Sequence, residues 1–203
     1  MTARPLPAGF YDRPVLEVAR DLVGCVLEHE GVSGRIVETE AYHHSEPACH
    51  AYVGLTARTS TLFGPPATAY VYRSYGIHAL VNAVCEPQDV GAAVLIRALE
   101  PLTGEDLMAQ RRGRDRLVEL CSGPGKLSQA LGIDLELNAR SLVEGPVRVL
   151  PRPAGEAPPT LVSGPRIGIT KAVELPWRFC AAGSRFVSRP WPSGLLEPAG
   201  TTR

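Results

Sequence analysis

The sequence predicts an α+β fold: a single domain built on a curved, mostly antiparallel β-sheet with helices around it. Three observations carry that expectation. The chain has 203 residues, 44% of them hydrophobic and 21% charged, which suits one substantial core and is short for two ordinary domains. Its apolar segments are mostly brief and joined by turn-forming residues, as hairpin strands are. Segments with helical spacing are interspersed among them. The domain is expected to span 1–203, with its core at about 10–189 and a Gly/Pro/Thr-rich tail over 190–203 that frays.

Taken in order, Val15, Leu16, Ala19, Leu22 and Val23 fall at helical spacing, so residues 12–23 are read as a helix stopped by Gly24. "CVLEHEGVSGRIVETEAY" reads as two strands joined at "EGVSG". Residues 43–66 show no sustained period and are read as a long loop of the kind that is usually functional. Residues 67–86 form a hairpin with its turn near Tyr75-Gly76, and 91–102 a buried strand. A helix follows in "TGEDLMAQRR" with Thr103 as its cap, then a short one in "SGPGKLSQALG" with Ser122 capping, Pro124 in its first turn and Gly132 at its end. "GPVRVLP", "RIGIT" and "WRFCAAGSRFVSRP" are read as further strands, the first set apart by the Pro-rich 151–159.

Composition narrows the function classes. No run of eighteen apolar residues exists, so no membrane span is expected, and the N-terminus has no apolar signal region, so secretion is not expected either. The five cysteines are odd in number, scattered and without a Cys-x-x-Cys, which points to free thiols in a reducing compartment. Formal net charge is zero. All basic residues but Lys126 and Lys171 are arginine, and "RRGRDR" at 111–116 can form a local basic face, because guanidinium pairs with phosphate through two parallel hydrogen bonds.

The densest chemistry lies in "ETEAYHHSEPACH", residues 38–50. A zinc site is one reading, yet His43-His44 and Cys49-His50 are adjacent pairs rather than the spaced ligands a turn or helix aims at one ion, and no second Cys pair follows. Period-two geometry puts Ile36, Glu38, Glu40 and Tyr42 on one face of a strand, with Val37, Thr39 and Ala41 on the other. Two carboxylates on a face are costly in a core, so that face is either solvated or lines a site, and mutual repulsion would raise one pKa toward general-base duty. Spacing leaves both open. On the hairpin, Tyr70, Tyr72 and Ser74 share one face and Val71, Arg73 and Tyr75 the other. Tyr75 at the tip is either a rim tyrosine or a wedge between base steps. "SGPGKLS" lacks the first glycine of a phosphate loop, since Leu120 stands there.

"GRIVETEAY", "ACHA", "TLFGPPATAYVYRSYGIHALVN", "VLIRALEP", "ELCSGPGKLSQALGI" and "PRIGIT…WRF" follow one another in an order and spacing that resembles the alkyladenine (3-methyladenine) DNA glycosylases; "FYDRPVLEVARDLVGCVL" is similar to the opening of bacterial members. The resemblance runs from about Phe10 to Arg189. It implies a monofunctional enzyme that flips a damaged purine out of duplex DNA and hydrolyses its N-glycosidic bond, with the hairpin protruding into DNA. By position, Glu40 resembles the general base. Arg97 resembles the residue that helps hold the water, aided by a backbone carbonyl at Ile169. Tyr42, His50 and Tyr72 look like the walls around the flipped base, Asn82 like the group that crowds the 2-amino group of guanine, and Tyr75 like the wedge. Arg73, Gly76, Ile77 and Lys126 are the expected DNA contacts.

The resemblance implies no metal and no cofactor, a partner that is double-stranded DNA containing damaged purines, a monomer, and a cytoplasmic, nucleoid-associated location. His78 stands where animal members often carry Tyr, Arg58 is the one basic residue of "AYVGLTARTST", and Glu38, His43 and His44 match no role. Neither lysine falls in the motifs expected to line the pocket, which argues against a Schiff-base lyase step. A metal-dependent hydrolase or nuclease using Glu38, Glu40, His44, Cys49 and His50 is the alternative, as is a damage-binding protein without turnover. Lesion preference is not legible.

Overall fold

The computed structural model describes residues 3–74 and 76–195. A single turn, α1 (Ala8–Tyr11), leads into α2 (Val15–Leu22). This helix is shorter than the predicted 12–23, because Pro14 occupies its N-cap and the residue before a proline is steered away from helical geometry. Val15, Val18, Ala19 and Leu22 make its buried face, which packs on the sheet.

Strands β1 (Val26–His29) and β2 (Val32–His43) are joined by Glu30-Gly31 alone. Both turn residues have positive φ, 49° and 76°, the geometry that lets a two-residue turn match the strand twist. The turn is tighter than "EGVSG" suggests, since Val32 and Ser33 already pair with β1. The hairpin β3 (Ala69–Ser74) and β4 (His78–Val84) follows, then β5 (Ala92–Thr103), β6 (Arg148–Leu150), β7 (Leu161–Gly164) and β8 (Arg178–Ala181). The sheet runs β3-β4-β5-β2-β1-β6; β8 pairs with the half of β2 that β1 leaves free, and β7 pairs with β8. All these ladders are antiparallel. "RIGIT" is no strand; "LVSG" is.

The β2–β5 ladder carries the irregularity that matters. Ile36 pairs with Leu99, Glu38 with Ala98 and Thr39 with Ile96, so Val37 is extra on one strand and Arg97 on the other. Such bulges twist a strand and re-aim its side chains. As a result Ile36 joins Val37 and Ala41 in the main core instead of sharing a face with Glu38 and Glu40.

Helices α3 (Glu105–Arg112), α4 (Leu117–Leu120) and α5 (Pro124–Leu131) complete the elements used below. Thr103 does not cap α3: it stays in the ladder opposite Ser33, whose hydroxyl lies 2.7 Å from its own, and Gly104 takes the cap in the left-handed region. Ser122 likewise does not cap α5, because it bridges Ala98; Gly123 precedes Pro124 instead. The 43–66 segment is ordered by two 3-10 turns, His50–Val53 and Ser60–Phe63.

Two apolar clusters result. Val71, Val81 and Val94 belong to the large one, under the helices. Tyr70, Val84 and Ala93, with Tyr42 and Tyr72 against them, belong to a small one on the other face. Among the described residues no helix is long and apolar enough to cross a membrane.

Candidate functional site

The small cluster opens into a cavity of about 800 Å³, walled in part by Tyr42, His50, Tyr70, Tyr72, Asn82 and Arg97. That volume suits a small-molecule ligand with room for solvent. Strand β3 presents Tyr70 and Tyr72 to it by alternation, with rings stacked at 5.3 Å and 26°. His50, on its 3-10 turn, meets Tyr72 edge-on at 4.7 Å and places Nδ1 3.0 Å from the Tyr70 hydroxyl. Burial, with Arg58 nearby, lowers the His50 pKa and favours the neutral imidazole. Burial pushes the Tyr70 and Tyr72 hydroxyls up to about 12, so both remain protonated donors. Asn82 is fixed by donating Nδ2 to the carbonyls of Tyr70 at 3.0 Å and Leu80 at 3.4 Å.

Behind this wall lies a charged layer. Glu40 has no exposed surface. Its Oε2 accepts from Arg97 Nη1 at 3.0 Å and the Tyr42 hydroxyl at 2.9 Å, and its Oε1 from the Ile167 N–H at 2.7 Å. Tyr42, Arg97 and Ile167, the three donors, all line the cavity. Burial raises the Glu40 pKa above the usual carboxylate range; Arg97, the Ile167 N–H and Tyr42 pull it back, and Glu38 adds only the smallest push. The rise expected from two neighbouring carboxylates is therefore present, but desolvation causes it.

Glu38 is bound still more tightly. Its Oε1 accepts from Arg97 Nε at 2.9 Å, Arg178 Nε at 2.7 Å and the Ser188 hydroxyl at 2.9 Å, and its Oε2 from the Ser188 N–H at 2.7 Å. Arg178 in turn donates to the carbonyls of Ser188 and Pro190. Two glutamates and two arginines thus form a buried, charge-balanced quartet with Arg97 bridging the acids, the condition under which ions tolerate a low-dielectric interior. The ETE face is neither solvated nor wholly part of the cavity wall.

Other residues fall as follows. Ile169, Arg58, Arg73, His78 and Lys126 line the cavity. Ile77, at the hairpin tip beside Gly76, is 76% exposed. Tyr75, read as the wedge, lies outside the described residues. Lys171 lines the cavity as Lys126 does, so the expectation that neither lysine falls in a motif lining the pocket fails. Both lysines are exposed, whereas a Schiff-base lysine is activated by desolvation. His43 sits 3.6 Å from Glu86 and 4.2 Å from the His44 ring, and neither reaches the cavity wall. Among the described residues no group of three or more His, Cys, Asp or Glu converges as metal ligands would. The acceptors of Glu38 and Glu40 are already taken by arginines, serine, tyrosine and backbone.

Sequence reading misses five contributors, among them Arg178, which pairs with Glu38 from 140 positions away. Tyr70 shares the expected face with Tyr72, but nothing in its position signals a role in the wall. The Ile167 N–H lies in the "RIGIT" segment read for its carbonyl. Arg166 is buried, pairs with Glu46 at 2.6 and 3.0 Å, and lays its guanidinium 4.7 Å from the centre of the Tyr42 ring. Ser188 carries no local signal at all; its partner Glu38 is 150 positions away.

Residues 9–185 match the family model described as methylpurine-DNA glycosylase. Three curated relatives are each named "Putative 3-methyladenine DNA glycosylase". The one from Rhodopseudomonas palustris (strain HaA2) is 56% identical over 187 residues, covering 92% of each chain. That of Granulibacter bethesdensis is 53% identical, covering 97% of this chain and 93% of its own. That of Methanoculleus marisnigri is 52% identical, covering 91% and 98%. With a match of that extent, over a fold and a cavity of this kind, the chain belongs to the methylpurine-DNA glycosylase family.

Proposed function

We propose that this chain is a monofunctional DNA glycosylase that extrudes alkylated or deaminated purines from duplex DNA and hydrolyses the N-glycosidic bond, beginning base-excision repair. The observation that carries the reading is Glu40: a fully buried carboxylate whose three donors, Tyr42, Arg97 and the Ile167 N–H, all line an aromatic cavity. Departure of a base from deoxyribose passes through an oxocarbenium-like state, and a carboxylate near the anomeric carbon both stabilises it and deprotonates the attacking water. That water takes the place on Oε2 held by the Tyr42 hydroxyl in the free chain, so turning Tyr42 onto an arriving base also frees the general base. Arg97, anchored on Glu38, then orients the carboxylate without neutralising it by proton transfer.

Tyr42, His50 and Tyr72 are the aromatic surfaces for the base, and a cationic alkylpurine gains about 0.5–2 kcal/mol from them. Asn82, held rigidly, is the group that crowds a 2-amino substituent, and the carbonyl of Ile169 assists the water. Arg73, Gly76, Ile77 and Lys126 contact the duplex, with Tyr75 filling the vacated stack. The reading includes one domain acting as a monomer on damaged double-stranded DNA. It also includes a cytoplasmic, nucleoid-associated location, which suits five free thiols.

The test is Glu40→Gln in single-turnover base release from duplexes carrying 3-methyladenine, 7-methylguanine, hypoxanthine or ethenoadenine. Release is expected to vanish while duplex binding persists. Release at the wild-type rate would refute the assignment; binding without release in the wild type would make the chain a damage-binding protein.

A further inference from the structure

A second cleft, of about 920 Å³, adjoins the first, and the two share Arg97, Gly123, Pro124 and Lys126 as a common wall. Four exposed cations surround it, Arg116, Lys126, Arg185 and Arg189, and the buried Arg97 contributes to its lining. The one carboxylate there, Glu119, pairs with Arg116 at 2.9 Å. The chain as a whole has zero formal net charge, so this excess of positive charge is local and needs a reason.

Among the described residues Arg185 and Arg189 are held without acidic partners. The guanidinium of Arg185 lies 5.1 Å from the centre of the Phe186 ring, and that of Arg189 4.8 Å from the centre of the Trp191 ring. Among the described residues neither they nor Lys126 makes an ion pair or side-chain hydrogen bond. Stacking on a ring restricts a guanidinium while leaving its N–H edge open, the arrangement that receives phosphate through two parallel hydrogen bonds. The rings themselves are anchored: Trp191 donates Nε1 to the Val187 carbonyl at 3.2 Å, and Phe186 is buried in the main core.

The "RRGRDR" run does not form one basic face. Arg111 turns to Glu30, Arg112 lines the base cavity, Arg114 reaches its neighbour's carbonyl, and Arg116 reaches the second cleft. We propose that the second cleft seats the phosphodiester backbone of the damaged strand beside the extruded nucleotide, with Arg185 and Arg189 as its principal contacts. A base in the first cavity leaves its sugar and phosphates at the shared lip of Gly123, Pro124 and Lys126. From that lip the strand continues into the adjoining cleft, where Lys126, Arg185 and Arg189 have no acidic partner among the described residues. The inference rests on the glycosylase reading for the identity of the strand, yet its test does not depend on base release.

The experiment compares wild type, an Arg185→Gln/Arg189→Gln double variant and an Arg4→Gln/Arg114→Gln control of equal charge change, binding a short lesion-containing duplex across a salt series. Arg4 and Arg114 are exposed and line neither cavity. The double variant is expected to bind about 10- to 100-fold more weakly, with the slope of log Kd against log salt reduced by about 1.4–1.8; the control should leave both unchanged. Neutral methylphosphonate linkages, introduced one at a time, should weaken the wild type at positions flanking the lesion on one side and leave the double variant indifferent there. A wild-type salt slope in the double variant, or equal sensitivity to every linkage, overturns the proposal. So does inorganic phosphate binding to a cleft whose substitution leaves duplex binding untouched, which would mark a free-phosphate site. Failure of the glycosylase reading would appear separately, as a wild-type chain that releases no base.

Discussion

The two glutamates of "ETEAY" should respond very unequally to the same isosteric change. In Glu38→Gln, an amide must replace a carboxylate whose Oε1 accepts three donors and whose Oε2 accepts the Ser188 N–H. Either orientation of the amide sets its NH₂ against donors. Arg97 keeps Glu40 as a counter-charge, but Arg178, 1% exposed, forms its ion pair with Glu38 and with no other acid among the described residues. Removing one partner of a buried pair costs about 3–5 kcal/mol, and in a chain of this size each kcal/mol lowers Tm by about 2–4 °C. The expected fall is therefore about 6–20 °C. Glu40→Gln differs because burial already holds that carboxyl above its ordinary pKa. An acid whose folded pKa is raised binds its proton more tightly when folded, so its ionised form weakens the fold at neutral pH. A neutral isostere removes that penalty while losing one backbone contact and the ion pair to Arg97, and because Arg97 keeps Glu38 as its counter-charge the net loss should stay below about 2 kcal/mol. Thermal and denaturant unfolding of both variants at pH 7 measures the difference. Equal shifts, or a larger loss in the Glu40 variant, would refute the division of labour between a charge anchor and a strained general base.

Three further outcomes follow from the same geometry. Tyr42→Phe keeps the ring but removes the O–H that favours ionised Glu40, so the acid limb of kcat/KM, which falls as the base is protonated, should move up by about one pH unit; a limb that stays or moves down counts against the assignment. Gly125→Ala would set a Cβ 2.8 Å from His78 Cγ, costing about 1–3 kcal/mol of overpacking, and His78→Ala should recover most of it in a double-mutant cycle. All five cysteines are buried, and burial pushes the thiols of Cys49 to about 11 and of Cys121 and Cys180 to about 12; a thiol reagent at neutral pH should label none in the native chain and all five in denaturant.

The sheet was legible because its signals are local. The positive-φ turn at Glu30-Gly31, the hairpin around Gly76 and the apolar run of β5 each declare themselves within a few residues. What escaped depends on distant partners. Thr103 and Ser122 have the chemistry of helix caps, yet pairing with Ser33 and Ala98 holds them in the sheet. Period-two counting puts Ile36 on the wrong face because it cannot see the extra residue at Val37, a bulge that exists only relative to β5. "RIGIT" has strand composition, but its Arg166 is drawn to Glu46 and its Ile167 N–H to Glu40, so its polar groups serve the site and not a ladder.

The same limit explains why Glu38 and Glu40 looked alike. Alternation puts both carboxylates on one face, and the one nearby group that separates them is Tyr42, whose hydroxyl donates to Glu40. The rest of the separation comes from Arg97, 59 and 57 positions away, whose Nε faces one acid and Nη1 the other, and from Arg178 and Ser188, which reach only Glu38. Because Arg97 is the unpaired residue on β5 where the registers shift, the bulge is what allows one guanidinium to span both acids. A regular ladder would have paired Arg97 within the sheet and altered which of its neighbours share its face. The irregularity that defeats period-two counting is thus also the one that distinguishes an anchored carboxylate from one left poised behind the cavity wall, with a tyrosine hydroxyl as its one neutral side-chain donor among the described residues.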